Sequence, residues 1–365
     1  MKEETLDLSE AELELYSRQI VLPEIGYTGQ LKLKNARVCI AGLGGLGSPA
    51  ALQLAAMGVG HLRLVDRDVV ELSNLQRQIL YDSRFLGYPK VEVAAKRLSD
   101  LNPNIEVEPL PVSVNSEMAP EIIKDVDVVI DGLDRMSSRY ALNRACQKAG
   151  IPYVFAAAIM TFGNVSTIIP GETPCLECFQ GNLDDDSLPT CAVVGIHPSV
   201  PSIIASIEVS EAVRIILGKK PQLAGQILHC DLGNMEFEKI EVSKVENCPV
   251  CGSNPSGPPM PLKQKTVTEI RDREGRRVFR ITPKRNLDLD MGSLVQLLES
   301  MGFKIKVKAN LGLTFTADSN VSASLLKSGI MVIQGVNNEE EAYKFYSNII
   351  LNRAGIPRSL VEWES

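Results

Sequence analysis

The sequence predicts an α/β protein: a mainly parallel sheet of the nucleotide-binding kind, followed by a smaller α+β unit. Three observations carry that prediction. The apolar run Arg37-Val38-Cys39-Ile40-Ala41 meets the glycine cluster Gly42-Leu43-Gly44-Gly45-Leu46-Gly47, and a helix-like segment follows from about Ser48 to Met57. Strand, glycine turn and helix in that order begin a Rossmann-like βα unit. A second apolar run closes on Asp66. Finally, Gly252 to Pro261 is dense in proline and glycine and reads as a linker, and the charge changes sign across it. There are 22 basic against 33 acidic residues as far as Leu262, and 16 against 12 from Lys263 onward. The expected organisation is residues 1–252 as the nucleotide domain, 253–265 as linker and 266–365 as an accessory α+β domain.

A chain of 365 residues leads one to expect about two domains, and 44% hydrophobic with 23% charged residues is the composition of a soluble globular protein. No apolar run approaches the ~18 residues needed to span a bilayer. The start, Met1-Lys2-Glu3-Glu4, is acidic and has no apolar signal region, so the expectation is a cytoplasmic protein with no membrane partner. Eight cysteines without a secretion signal argue for metal or catalysis over a disulfide framework.

In chain order, Ser9-Glu10-Ala11-Glu12 fits a capping box and predicts an amphipathic helix from about Glu10 to Ile20. Arg18 lies near its end, where the helix dipole alone would favour a cation. Glycines 42, 44 and 47 let the backbone turn tightly and approach a phosphate, and the next helix offers free N–H groups to an anion. Asp66, with Asp68 two residues on, stands where a carboxylate can accept hydrogen bonds from ribose hydroxyls. To this point an NAD-dependent oxidoreductase explains the residues equally well.

The next residues separate the two. Ser73-Asn74-Leu75-Gln76-Arg77-Gln78 places Asn74 and Arg77 three apart, on one face if the segment is helical. Gly87-Tyr88-Pro89-Lys90 starts another helix with a cation in its first turn, a position the helix dipole disfavours unless an anion is held there. An arginine, a lysine and a helix N-terminus can together neutralise a triphosphate, and hydride transfer needs no such cluster. Asp127-Val128-Val129-Ile130-Asp131-Gly132-Leu133-Asp134 is a strand running into a loop. Asp134 there can hold Mg²⁺ or cap the helix that begins near Ser137.

Together with Tyr16-Ser17-Arg18-Gln19, these segments resemble the ThiF/MoeB/HesA adenylyltransferases, kin of the ubiquitin-activating enzymes, over about residues 8 to 252. The resemblance implies a homodimer that uses ATP and Mg²⁺ to activate the C-terminal glycine of a ubiquitin-like modifier or sulfur-carrier protein as an acyl-adenylate, with release of pyrophosphate. By position it puts Gly42, Gly44, Gly45, Gly47, Asp66, Asp68, Ser73, Asn74, Arg77 and Lys90 on ATP, Asp134 on Mg²⁺, and Arg18 on the phosphates from the partner subunit. The chain departs from the pattern at Leu15, often arginine in relatives, and at Arg135, often asparagine. Neither removes a charge assigned to the reaction.

Cys175-Leu176-Glu177-Cys178 and Cys248-Pro249-Val250-Cys251 form two CxxC knuckles, which read as a four-thiolate structural zinc site or as two redox pairs. In the family that the chain resembles, the same knuckles hold zinc. Cys191 follows the acidic loop Asp184-Asp185-Asp186 and matches a cysteine that takes the activated acyl group in some relatives. Three nearby carboxylates disfavour the thiolate such a role needs. Cys39, Cys146 and Cys230 read as small buried hydrophobes.

Beyond the linker, alternating runs near 266–271 and 276–282 precede a helix at about 292–301, strands near 303–310, 311–317, 321–326 and 330–334, and a closing helix at about 338–353. That pattern is an antiparallel sheet with helices on one face. Lys304, Lys306 and Lys308 alternate with Ile305 and Val307, giving one strand a basic side. No cysteine follows Cys251, so the unit does not read as a sulfurtransferase, and nucleic acid is not the expected partner. The function expected is adenylylation of a carrier protein. The alternatives are a non-catalytic modifier-binding subunit, or activation of a carboxylate on a small molecule or a tRNA.

Overall fold

The computed structural model describes residues 7–185, 188, 191–262, 264–271, 276–317 and 321–363. The capping box forms: Glu12 N donates to Ser9 Oγ at 3.2 Å and Ser9 N donates to Glu12 Oε2 at 2.8 Å. The helix it starts is shorter than expected. It runs as α1 (Glu10–Leu15), breaks at Tyr16 and resumes as α2 (Ser17–Ile20). Tyr16 is buried with its ring packed on Gly58, and its hydroxyl accepts a hydrogen bond from Asn102 Nδ2 at 2.8 Å. Anchoring that side chain turns the backbone out of helical geometry.

After α3 (Gly26–Asn35) the βα pattern begins: β1 (Arg37–Ala41), α4 (Gly47–Ala56), β2 (His61–Val65), α5 (Lys90–Leu101), β3 (Glu106–Leu110), α6 (Ala119–Ile122), β4 (Val128–Asp131), α7 (Met136–Ala149) and β5 (Tyr153–Ile159). Then follow β6 (Phe162–Ile168), α8 (Leu176–Gln180), α9 (Cys191–Val194), α10 (Ser199–Ile216), β7 (Gln226–Asp231) and β8 (Glu236–Glu241). Among the described residues these strands make one sheet in the order β3-β2-β1-β4-β5-β6-β7-β8. The run from β3 to β5 is parallel, and β6 to β8 add antiparallel. β3 has no counterpart among the expected strands, because Glu-Val-Glu-Pro-Leu mixes charges and a proline in a way that an edge strand tolerates.

Apolar residues of α4, α5 and α10 pack one face of the sheet, and those of α6 and α7 pack the other. Both faces of the parallel strands are therefore covered, which accounts for the near-continuous apolar runs of β1, β2 and β4. β1 lies between β2 and β4, so the chain leaves it in opposite directions, and a crevice opens beyond the carboxyl ends of β1 and β4. In open α/β sheets that crevice is where ligands sit.

A second sheet comprises β9 (Val267–Arg271), β10 (Arg277–Ile281), β11 (Lys304–Lys308), β12 (Gly312–Thr316), β13 (Ser322–Leu326) and β14 (Met331–Gln334), in the order β11-β12-β13-β14-β10-β9. Every pairing in it is antiparallel. Helices α11 (Met291–Ser300) and α12 (Glu339–Ser347), followed by a π-helical turn at Asn348–Arg353 and by α13 (Arg358–Val361), cover one face around Phe279, Phe315 and Tyr346. Lys304, Lys306 and Lys308 are exposed, but a bulge between Ile305 and Val307 breaks the expected alternation. Ile305 joins the core under the helices, while Val307 packs beside Gly87 of the first sheet's unit. Among the described residues, no helix is long and apolar enough to cross a membrane.

Candidate active site

The glycine loop is dictated by backbone crowding. Gly42 has φ +92°, and a Cβ on Gly47 would lie 1.8 Å from the Gly42 carbonyl oxygen, so neither position accepts a side chain. A Cβ on Gly44 would meet only Gln78 Nε2, at 3.8 Å, so its outer side is open. Gly45 lies against the stem of Arg77, whose Cδ would be 3.4 Å from an added Cβ. The first turn of α4 has no side-chain cap. Ser48 N donates to the Gly44 carbonyl at 3.0 Å and Ala50 N to the Leu46 carbonyl at 3.2 Å, and Pro49 has no N–H, so the row of free amides expected at this helix start does not form.

Asp66 ties this loop to its neighbour: Oδ2 accepts from Leu43 N and Oδ1 from Asp68 N, each at 2.7 Å. A carboxylate with both oxygens so engaged retains lone pairs for ribose hydroxyls. The expected helical face for Asn74 and Arg77 does not form. Only Leu72–Asn74 make a 3₁₀ turn, in which Glu71 N donates to Asn74 Oδ1 at 3.4 Å. Arg77 lies beyond that turn, and its Nη1 donates to the Ser73 carbonyl at 3.1 Å. Arg77 N and Gln78 N both donate to the Asn74 carbonyl, at 3.2 and 3.0 Å, so Asn74 and Arg77 are one turn apart in a single turn that does not continue as a helix.

Lys90 is the first residue of α5 and is buried, 5% exposed. Its backbone N–H donates to the Asp68 carbonyl at 3.0 Å, so this amide is not free for a phosphate. Its ammonium stands 3.7 Å from Asp68 Oδ2. Burial pulls the Lys90 pKa down, but Asp66 and Asp68, then Glu71 and Asp134, outweigh it and leave the lysine above its ordinary value. Burial pushes Asp66 up against the pull of Lys90. Asp68 goes the other way: burial would raise it, and Arg280, Lys90 and Arg67 together hold it well below the usual carboxylate range.

Asp134 is exposed in the loop after β4. It does not cap α7, because that place is taken by Asp185. Met136 N donates to Asp185 Oδ1 at 2.6 Å, and Ser137 Oγ donates to Oδ2 at 2.5 Å. The loop itself is fixed from beneath by Asp131, fully buried and paired with Arg139 Nε at 3.1 Å. Arg139 Nη2 donates to the carbonyls of Leu133 at 2.6 Å and Ala156 at 2.7 Å, and the Tyr153 hydroxyl donates to Asp131. Asp134 is left as a solvent-facing carboxylate beside phosphate-type cations, a donor that suits a hard ion such as Mg²⁺.

Arg18 is exposed on α2. Its neighbour Gln19 donates to the Met57 carbonyl at 2.7 Å, at the far end of α4 from the glycine loop. Ten residues of helix separate the two ends by about 15 Å. The chain's own Arg18 is therefore not placed with Arg77 and Lys90.

The two cysteine knuckles come together. All four Sγ atoms lie within 4.8 Å of one another, with Cys175 to Cys248 at 3.7 Å and Cys178 to Cys251 at 3.3 Å. Tetrahedral thiolates about 2.3 Å from zinc stand about 3.8 Å apart, so the cluster fits that ion. Cys191 begins α9, but its side chain lies outside the described residues, as does Asp186. Cys39, Cys146 and Cys230 are fully buried, and burial pushes the Cys39 thiol up to about 12.

Sequence reasoning missed Arg139, Asp185 and Arg280. Arg280, on β10 of the second sheet, donates from Nη2 to Asp68 Oδ1 at 2.8 Å.

Fold and site define the class: a doubly covered, mainly parallel α/β sheet whose switch point carries a glycine loop, a buried lysine with a half-buried arginine near it, and an outlying carboxylate. The chain belongs to the ThiF family, whose profile matches residues 16–250. It is 39% identical over 249 residues to the SAMP-activating enzyme E1 of Haloferax volcanii, covering 68% of this chain and 92% of that protein. It is 40% identical over 251 residues to the sulfur carrier protein adenylyltransferase of Thermus thermophilus, covering 67% and 93%. Among solved structures, it resembles Escherichia coli MccB with ATP, at a TM-score of 0.58 and 25% identity over 67% of this chain and 75% of that one.

Proposed function

We propose that this chain is an ATP-dependent adenylyltransferase that activates the C-terminal carboxylate of a ubiquitin-like or sulfur-carrier protein. The observation that carries the reading is the convergence of Lys90 and Arg77 on the glycine loop at the switch point, beside Asp66 and the exposed Asp134. A dinucleotide oxidoreductase would need the glycine loop and Asp66 but has no use for that field of positive charge. The names of the two relatives aligned over more than nine-tenths of their length point to the same chemistry.

The reaction joins a carboxylate oxygen to the α-phosphorus of ATP, breaks the bond from that phosphorus to the bridging oxygen and releases pyrophosphate. Two anions must meet, so catalysis consists of screening charge and fixing orientation. Asp66 would hold the ribose, with the glycine loop and Ser73 and Asn74 around the phosphates. Arg77 and Lys90 would neutralise charge that grows on the leaving pyrophosphate. Bound Mg²⁺ would supply further positive charge at the phosphate oxygens, with Asp134 as its protein ligand. The attacking carboxylate is already ionised, so no general base is required. The same reading makes the protein a cytoplasmic homodimer in which Arg18 of each subunit serves the other's site, and assigns zinc to Cys175, Cys178, Cys248 and Cys251. Residues 266–365 form its accessory domain. Onward transfer of the acyl group to Cys191 remains a separate proposal.

ATP–pyrophosphate exchange with purified β-grasp carriers ending in Gly-Gly tests the reading. Exchange that depends on the carrier and is lost when its last glycine is removed is the expected result. A folded protein that binds ATP yet exchanges no pyrophosphate with any such carrier would contradict it and favour a non-catalytic modifier-binding subunit.

A further inference from the structure

The helix-free face of the second sheet lies against the segment that carries Asp68 and Lys90, and the contacts are specific. The Thr314 hydroxyl donates to the Gly87 carbonyl at 2.7 Å. The backbone N–H groups of Asn310 and Leu311, at the tip of the β11–β12 hairpin, donate to the two carboxylate oxygens of Glu92 at 3.0 and 2.7 Å. Glu92 is in the first turn of α5, two residues after Lys90. Gly312 packs so closely on Pro89 that a Cβ there would come within 2.8 Å of the proline ring. The hairpin thus grips the start of the lysine helix. Arg280, 11% exposed at its side chain, grips Asp68 on the other side of the same segment.

Asp68 is shared between two cations. Oδ1 takes Arg280 at 2.8 Å, whereas Oδ2 stands 3.7 Å from the Lys90 ammonium, too far for a hydrogen bond. A half-buried carboxylate beside a buried lysine would ordinarily close onto it, and a lysine so paired has less charge to offer a phosphate. Arg280 holds Asp68 at the longer distance.

We infer that Arg280 is a positioning residue, through which the C-terminal unit keeps Asp68 from capturing Lys90 and leaves that lysine available to the ATP phosphates. The inference rests on the assignment of Lys90 to ATP made above.

The test is titration of the full-length protein with MgATP, which needs no carrier, alongside carrier-dependent pyrophosphate exchange. Arg280→Ala should weaken MgATP binding by about tenfold or more, the range for loss of a hydrogen bond between charged groups. Arg280→Lys should recover part of the loss. Adding Asp68→Asn to Arg280→Ala should tighten binding relative to Arg280→Ala alone, because the neutral amide no longer competes for Lys90; mere damage to the second sheet would not be repaired in this way. Arg285→Ala removes a different contact of the second unit, the 3.4 Å pair with Glu117, and should leave affinity unchanged. The inference is overturned if Arg280→Ala binds MgATP as the parent does, or if Asp68→Asn brings no recovery. A parent that binds MgATP but shows no exchange contradicts the adenylylation reading alone, and a parent that binds none contradicts both.

Discussion

Lys90 is a buried cation in the first turn of a helix, where the dipole disfavours it, and Asp66, Asp68, Glu71 and Asp134 hold it above its ordinary pKa against the cost of burial. Lys90→Ala should lower carrier-dependent pyrophosphate exchange by about 10²–10³, the usual effect of removing one transition-state charge contact. A second residue makes a pH prediction. Glu208 on α10 is fully buried beside Asp131, with neither oxygen hydrogen-bonded among the described residues, and burial, then Asp131, push its carboxyl well above its ordinary value of 4.5. The folded state keeps the proton while the unfolded state loses it above about pH 4.5, so stability falls as pH rises from there through the folded pKa. Glu208→Gln should therefore raise the melting temperature at pH 8 and have little effect at pH 4. What the sequence makes legible at this scale are residues with local signals: Asp66 closing a strand, Lys90 after a proline, paired cysteines. Arg280 finds Asp68 across 212 positions and Asp185 caps a helix 49 positions earlier, and no spacing rule links such partners.

At the scale of elements, Asp185 of the acidic loop before Cys191 takes on another meaning. Asp185 sits on the N-terminus of α7, where the helix dipole and two N–H groups absorb its charge. Asp185→Ala should cost about 1 kcal/mol in chemical denaturation, as loss of a helix cap does. The cysteine knuckles join α8 to the segment after β8, more than seventy residues apart, and bring the four sulfurs within 4.8 Å of one another. Metal analysis should find one zinc per chain, and chelation or Cys248→Ser should lower the melting temperature. Glycine turns, the capping box and most strands were readable because each is encoded within a few residues. The break at Tyr16 and strands β3, β5, β6 and β8 were not, since a buried tyrosine's partner and a strand's place in the sheet are set by tertiary packing.

At the scale of the molecule, a site built by one chain lacks Arg18, which lies at the opposite end of α4. Arg18→Ala and Lys90→Ala should each abolish most exchange. Their mixture should recover activity as mixed dimers form with one intact site, whereas an Arg18 acting within its own chain would give no recovery. The second sheet brings a further arginine, Arg280, to the segment that carries Lys90. The mainly parallel architecture followed from the order of its βα units, but the docking of the second sheet did not, because its contacts are single residues scattered along β10 and β12. If the site joins AMP to a carrier's C-terminus, intact-mass measurement of a Gly-Gly-tailed carrier incubated with the protein, ATP and Mg²⁺ will find the carrier heavier by one adenylyl group, and no such gain with Lys90→Ala. A carrier of unchanged mass beside folded, ATP-bound protein would rule adenylylation out.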